Sequence, residues 1–259
     1  MSLIKKLYYQ STHCFRFVIL IGFAILLYFT PLTAVSAEIP HQDELTTNEI
    51  IKLVREEYAM SKSYSDSGVV KIVFISSDGR RTVKKFFTTA FIRPDRFRFE
   101  YWEKTQINRE HRFIVYRKGK NLQTYWNIEN DLKLDSLDKA IGAATGISGG
   151  SAITVPAMLI PSEIKWRRAI RFNKPKRIDD GIFNKVSCFR IQDQIFGNHA
   201  IFWIDKKTFL LLKIYREKKF EDFQTQETTT YRPIKNGKIS DMMLEFNPPG
   251  EKRWWQLFN

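Results

Sequence analysis

Phe91-Ile92-Arg93-Pro94-Asp95-Arg96-Phe97-Arg98-Phe99-Glu100-Tyr101 is the stretch on which the fold turns. Phe97, Phe99 and Tyr101 alternate with Arg98, Glu100 and Trp102, the period of a strand with one face in a core. Pro94 has no N–H to give a ladder and holds Arg93 in extended backbone, so Arg93-Pro94-Asp95 ends the strand before it. That earlier strand runs back through Phe91, Phe87 and Phe86 to a turn at Ser77-Asp78-Gly79. Across the turn, Val70, Ile72 and Phe74 alternate with Val69, Lys71 and Val73. Three strands in series, each with an apolar row, predict an antiparallel sheet.

Before the hairpin, Thr46 and Glu49 form a capping-box pattern, with Leu45 placed to staple onto Ile50. Ile50, Val54 and Tyr58 recur every four residues, so an amphipathic helix opens the domain. After Tyr101, residues 111–116 and 121–126 read as a hairpin around Arg117-Lys118-Gly119-Lys120. An interruption follows: a short helix over 135–145, a flexible Gly/Ser loop over 146–151, and an apolar turn over 155–160 closed by Pro161. Strands resume at about 166–173, 183–193, 199–204, 208–219, 223–234 and 241–246. Asp179-Asp180 before Gly181 reads as a turn. The plan is mainly β: about eleven antiparallel strands, with an N-terminal helix and inserted helices. So large a sheet twists and curls, and helices on its concave face would enclose an apolar pocket.

The N-terminal segment carries a different message. Lys5, Lys6 and Arg16 precede an apolar run over 17–29, then Pro31 and the small residues Val35-Ser36-Ala37. That order predicts a secretory signal peptide over 1–37, cleavage before Glu38, and a single domain over 38–259 in the periplasm. An uncleaved inner-membrane anchor is the alternative, although the run is shorter than a membrane span prefers. Cys14 precedes the run, which argues against a lipidated cysteine. The remaining chain keeps Cys188 alone, so no disulfide can form within it, and Cys188 reads as a small buried hydrophobe. The whole chain is strongly basic, with a net charge of +14. Basic clusters over 112–120, 165–177 and 213–219 suit an anionic membrane surface or headgroups, or serve solubility alone. No nucleic-acid motif accompanies them.

The same residues support a resemblance. Residues 91–101, Val115-Tyr116-Arg117-Lys118-Gly119-Lys120-Asn121-Leu122, Phe202-Trp203-Ile204-Asp205-Lys206 and the closing Phe246-Asn247-Pro248-Pro249 resemble, in order, the LolA-type periplasmic carriers of outer-membrane lipoproteins and the wider superfamily of exported lipid-binding proteins. The resemblance implies an incomplete β-barrel under a helical lid. It implies a monomer that shelters lipid or lipoprotein acyl chains, between an inner-membrane donor and an outer-membrane acceptor, with no cofactor and no covalent chemistry. The stretch Thr145 to Ser151 departs from the carrier pattern, which leaves the cargo open. A sensor that passes a signal to a membrane partner is the first rival, and a lipid-directed hydrolase the second.

Candidate site residues follow from the fold. Phe87, Phe91, Phe97, Phe99, Tyr101, Trp126 and Trp203 are cavity candidates, or else ordinary core. Met158 and Leu159 are lid candidates, since methionine suits a surface that repacks. By resemblance Arg93 bonds the lid and gates it; on its residues alone it is equally a solvated turn arginine. Catalytic and metal motifs are missing: His41, His111 and His199 have no ligand spacing, and there is no nucleophile elbow or phosphate loop.

Overall fold

A computed structural model describes residues 44–105, 107, 109–129, 132–165, 172–195 and 198–249. The expected signal segment 1–37 and most of the expected strand 166–173 lie outside them. Helix α1 (Thr47–Ala59) starts as its capping box requires: the Glu49 carboxylate accepts from the Thr46 N–H at 2.8 Å, and the Glu49 N–H donates to the Thr46 hydroxyl. Ile50, Ile51, Val54 and Tyr58 form its buried face.

Two five-strand meanders follow. The first is β1 (Ser63–Ser76), β2 (Gly79–Ile92), β3 (Arg96–Lys104), β4 (Glu110–Lys118) and β5 (Asn121–Trp126). The second is β6 (Lys176–Phe183), β7 (Val186–Ile195), β8 (Asn198–Asp205), β9 (Leu211–Lys219) and β10 (Phe223–Tyr231). β1 pairs with β10 and joins them into one antiparallel sheet, in the order β5-β4-β3-β2-β1-β10-β9-β8-β7-β6, and a short β11 (Ile234–Lys235) also pairs with β1. The eleven-stranded sheet curls and does not close, which is the incomplete barrel expected. Between the meanders, α2 (Leu137–Ile147) and α3 (Ser151–Leu159) cross the concave face. Among the described residues no helix is long and apolar enough to cross a membrane.

Several boundaries differ from expectation. The strand expected over 183–193 is β7, which begins only at Val186; the unexpected β6 ends at Phe183, and Asn184-Lys185, both with positive φ (49° and 67°), turn between them. Asp179 and Asp180 are not a turn but the middle of β6, where a bulge between Ile178 and Gly181 absorbs them. The loop expected over 146–151 is only a corner: Gly146 belongs to α2, and Gly149 and Gly150, with φ of +66° and +80°, reverse the chain. Gly149 has a second reason to be glycine, because a Cβ there would stand 3.0 Å from Val70 Cγ1. The apolar turn over 155–160 is the nine-residue helix α3, buried on nearly every side. Residues 241–246 are not a strand. Asp241–Leu244 is a 3-10 turn beside β3, pinned by Arg96–Asp241 at 2.9 Å.

Candidate functional site

The concave surface follows from register and the period-two alternation. Phe87 pairs with Tyr101, which pairs with Phe113; Thr89 pairs with Phe99; Phe91 pairs with Phe97, which pairs with Arg117. Phe87, Phe91, Phe97, Phe99 and Tyr101 are therefore on one face, and all five are buried in the main core. Phe87 stacks on Phe99 at a centroid distance of 6.3 Å. Trp126 is half-buried at the edge strand β5, with its ring 6.0 Å from Phe113. Met158 and Leu159 lie on α3 and are buried in the same core, Met158 on the side of α1 and the second meander. Trp203 is a correction. Its neighbours Phe202 and Ile204 enter the core, so alternation sends Trp203 to the convex face, where Lys213 Nζ sits 4.2 Å over its ring.

The lid helices are held by cations from the first meander. Arg93 reaches three carbonyls: Nη2 donates to Ala59 at 2.6 Å and to Leu159 at 3.1 Å, and Nε donates to Ser61 at 3.2 Å. These carbonyls lie at the C-terminal ends of α1 and α3, where unmade backbone acceptors and the negative end of the helix dipole favour a guanidinium. Lys85, eight residues earlier on β2, does the same for α2: its ammonium donates to the Ile147 carbonyl at 2.6 Å and lies 3.7 Å from Glu103. Sequence reasoning missed Lys85. Its alternation with Phe87 and Phe91 was the available signal, since a lysine in an inward row needs an acceptor.

The second meander holds α1 differently. Arg177 on β6 donates from Nη1 to the Leu45 carbonyl at 2.8 Å, and its backbone N–H donates to the Thr47 hydroxyl at 2.9 Å. The Leu211 N–H donates to the buried Tyr58 hydroxyl at 3.0 Å. A narrow apolar cleft remains between α1, α3 and this meander, lined by Ile51, Val54, Met158, Phe202, Ile204 and Leu211.

A polar seam runs between the two apolar halves. The inward row of β10 is Thr225, Glu227, Thr229 and Tyr231. Arg216 answers Glu227 at 2.8 Å. On β1, Asp66 is buried, accepting from the Tyr64 hydroxyl at 2.8 Å and from the Thr89 N–H at 3.0 Å. Burial pushes the Asp66 carboxyl up to about 6, against the opposing pull of its Thr89 and Tyr64 hydrogen bonds.

Nucleophilic chemistry has little to build on here. Cys188 is buried and pairs in register with Gly181 and Asp205; desolvation pushes its thiol up, opposite to activation. His111 faces Glu103, with Nδ1 3.5 Å from Oε1.

No family model matches the chain, and no curated protein matches it. Solved structures do. LprF from Mycobacterium bovis aligns over 75% of this chain and 96% of its own, at 8% identity and a TM-score of 0.42. The lipoprotein LppX from Mycobacterium tuberculosis aligns over 74% and 95%, at 10% identity and a TM-score of 0.38. The LolA superfamily protein NE2245 from Nitrosomonas europaea aligns over 78% and 98%, at 9% identity and a TM-score of 0.27. At these identities, function has to be argued from the site itself.

Proposed function

We propose that the protein is an exported carrier that shelters the acyl chains of a lipid or lipoprotein on the concave face of its open barrel. The structure is then the closed, empty state, with α2 and α3 occupying the surface that cargo would take. The observation that carries this reading is Arg93, which binds the ends of α1 and α3 through three carbonyls across an aromatic wall. Arg93 is exposed at the rim; its bond to Ala59 lies open to water and those to Ser61 and Leu159 are half-buried. A helix whose apolar side chains can be traded for another apolar surface, and whose polar ties end in exchangeable bonds, is built to be displaced.

The energies suit such a trade. Each buried CH₂ of an acyl chain contributes about 0.8 kcal/mol, so one chain can offset the apolar contacts of a short helix. Arg93 adds to the closed state only, and so favours release over loading. Arg93→Leu should bind a fluorescent fatty-acyl probe as tightly as wild type or more so, yet transfer it poorly to acceptor vesicles. Arg93→Lys should fall between, since an ammonium lacks the planar fork. Unchanged transfer by a well-folded Arg93→Leu would remove Arg93 from the mechanism.

A further inference from the structure

Arg117 carries chemistry that the closed state leaves unused. It is the last inward residue of β4, in register with Phe97, and only 7% exposed. Its Nη1 is paired with the carboxylate of Glu163, on the turn that follows α3. Its Nε and Nη2 are buried without a partner among the described residues. A buried guanidinium with two unpartnered nitrogens is expensive, and native proteins keep such groups where an acceptor arrives in another state. Arg93 stands at the same end of the wall, one step beyond Phe91, which is in register with Phe97. One acceptor of each arginine comes from the same short piece of chain: the Leu159 carbonyl for Arg93, beside its bonds to Ala59 and Ser61, and the Glu163 carboxylate for Arg117. When that piece withdraws, each guanidinium loses an acceptor at the edge of the aromatic wall.

We propose that Arg117, with Arg93, is the binding site for a phosphate-bearing headgroup on the cargo lipid, uncovered when the lid segment 159–163 moves away. This rests on the carrier reading above. A phosphodiester matches the guanidinium fork, keeps its charge across physiological pH, and has enough lone pairs for both unpartnered nitrogens of Arg117. Glu163 is the internal competitor: an acidic group on the lid that occupies the site while the cavity is empty. The site thus couples the two events, because a headgroup can bind only where the lid has left, and once bound it denies the lid its anchor.

The test uses the full mature chain and two lipids with identical chains: dioleoylphosphatidylglycerol and dioleoylglycerol, which lacks the phosphate. Binding is read by native mass spectrometry and by displacement of a fluorescent acyl probe. Wild type should prefer the phospholipid by about tenfold, the scale of one charge-assisted hydrogen-bond pair. In Arg117→Met that preference should fall to about one. Glu163→Gln sits at a half-exposed position and removes only the competitor, so it should fold as wild type and raise the preference. Arg96→Met, whose Asp241 partner is the 3-10 turn, is the control and should leave the preference unchanged. Inorganic phosphate in excess should not displace the phospholipid. Displacement by it would assign the site to the free ion and overturn the headgroup role. Equal binding of the two lipids by wild type, or an unchanged preference in Arg117→Met, would overturn the proposal while leaving the carrier reading intact. If neither lipid binds, the carrier reading falls and the headgroup site with it, a result recognised by the absent dioleoylglycerol signal.

Discussion

The two meanders are alike in strand number and connection, yet they hold their helices in opposite ways. β1–β5 presents large flat rings, Phe87, Phe91, Phe97, Phe99, Tyr101 and Phe113, and grips α2 and α3 by cations on carbonyls. β6–β9 presents a mixed, more aliphatic row, Phe189, Ile191, Ala200, Phe202, Ile204 and Ile214, and is stitched to α1 through Arg177 and Leu211. Helix α1 is thus tied to both halves, its start and its Tyr58 by the second meander and its C-terminal end by Arg93. The α2–α3 pair takes its polar ties from the first half, through Lys85 and Arg93, while Met158 of α3 also lines the cleft against the second. Between them lies the polar seam of β10. The contrast shows how one sheet can supply both a scaffold and a replaceable cover.

The first way to break this contrast is to remove a ring from the wall. Phe99→Ala deletes a fully buried ring and should cost about 3–5 kcal/mol in urea unfolding. Trp203→Ala, on the convex face, should cost about 1 kcal/mol and leave acyl binding unchanged. Equal losses would show that both tryptophan and phenylalanine share one core.

The seam makes the second prediction. Burial raises the Asp66 pKa from 3.8 to about 6. Its favourable contribution is complete below about pH 4, where folded and unfolded chains both hold the proton. It is lost as pH rises to about 6, because the unfolded chain releases the proton first. The loss amounts to about 3 kcal/mol. Asp66→Asn should flatten that component of stability between pH 4 and 6, followed as the urea midpoint. An unchanged slope would place the titrating group elsewhere.

The smallest effect separates the two modes of attachment. Lys85→Met frees the Ile147 carbonyl and should cost about 1–2 kcal/mol. Hydrogen exchange should speed up in α2 and not in α1. Arg177→Met should speed up the first turn of α1 and not α2. Uniform acceleration in both variants would mean that the three helices open as one unit.

Much of this was legible in the chain itself. The alternation of Phe97, Phe99 and Tyr101 placed those rings on one face, and the Thr46–Glu49 box set the start of α1 to the residue. Local patterns of that kind are decided within a few residues. The β6–β7 hairpin was missed because its turn is Asn184-Lys185, and lysine carries no turn signature. Trp203 was misplaced because an aromatic residue marks a strand but not its face; that is decided by Phe202 and Ile204 beside it. Arg117 and Glu163 were out of reach altogether. They are 46 residues apart, and only the return of the chain across the concave face brings them together.

The central claim is that cargo lies on the concave face after the lid has moved. A photo-reactive phenylalanine analogue tests it most directly, placed at position 99 in one protein and at position 203 in another, each exposed to light with a radiolabelled acyl lipid. The account predicts a lipid adduct at 99, diminished by unlabelled competitor, and none at 203. Adducts at 203 alone, or at neither position while the lipid remains bound, would contradict it.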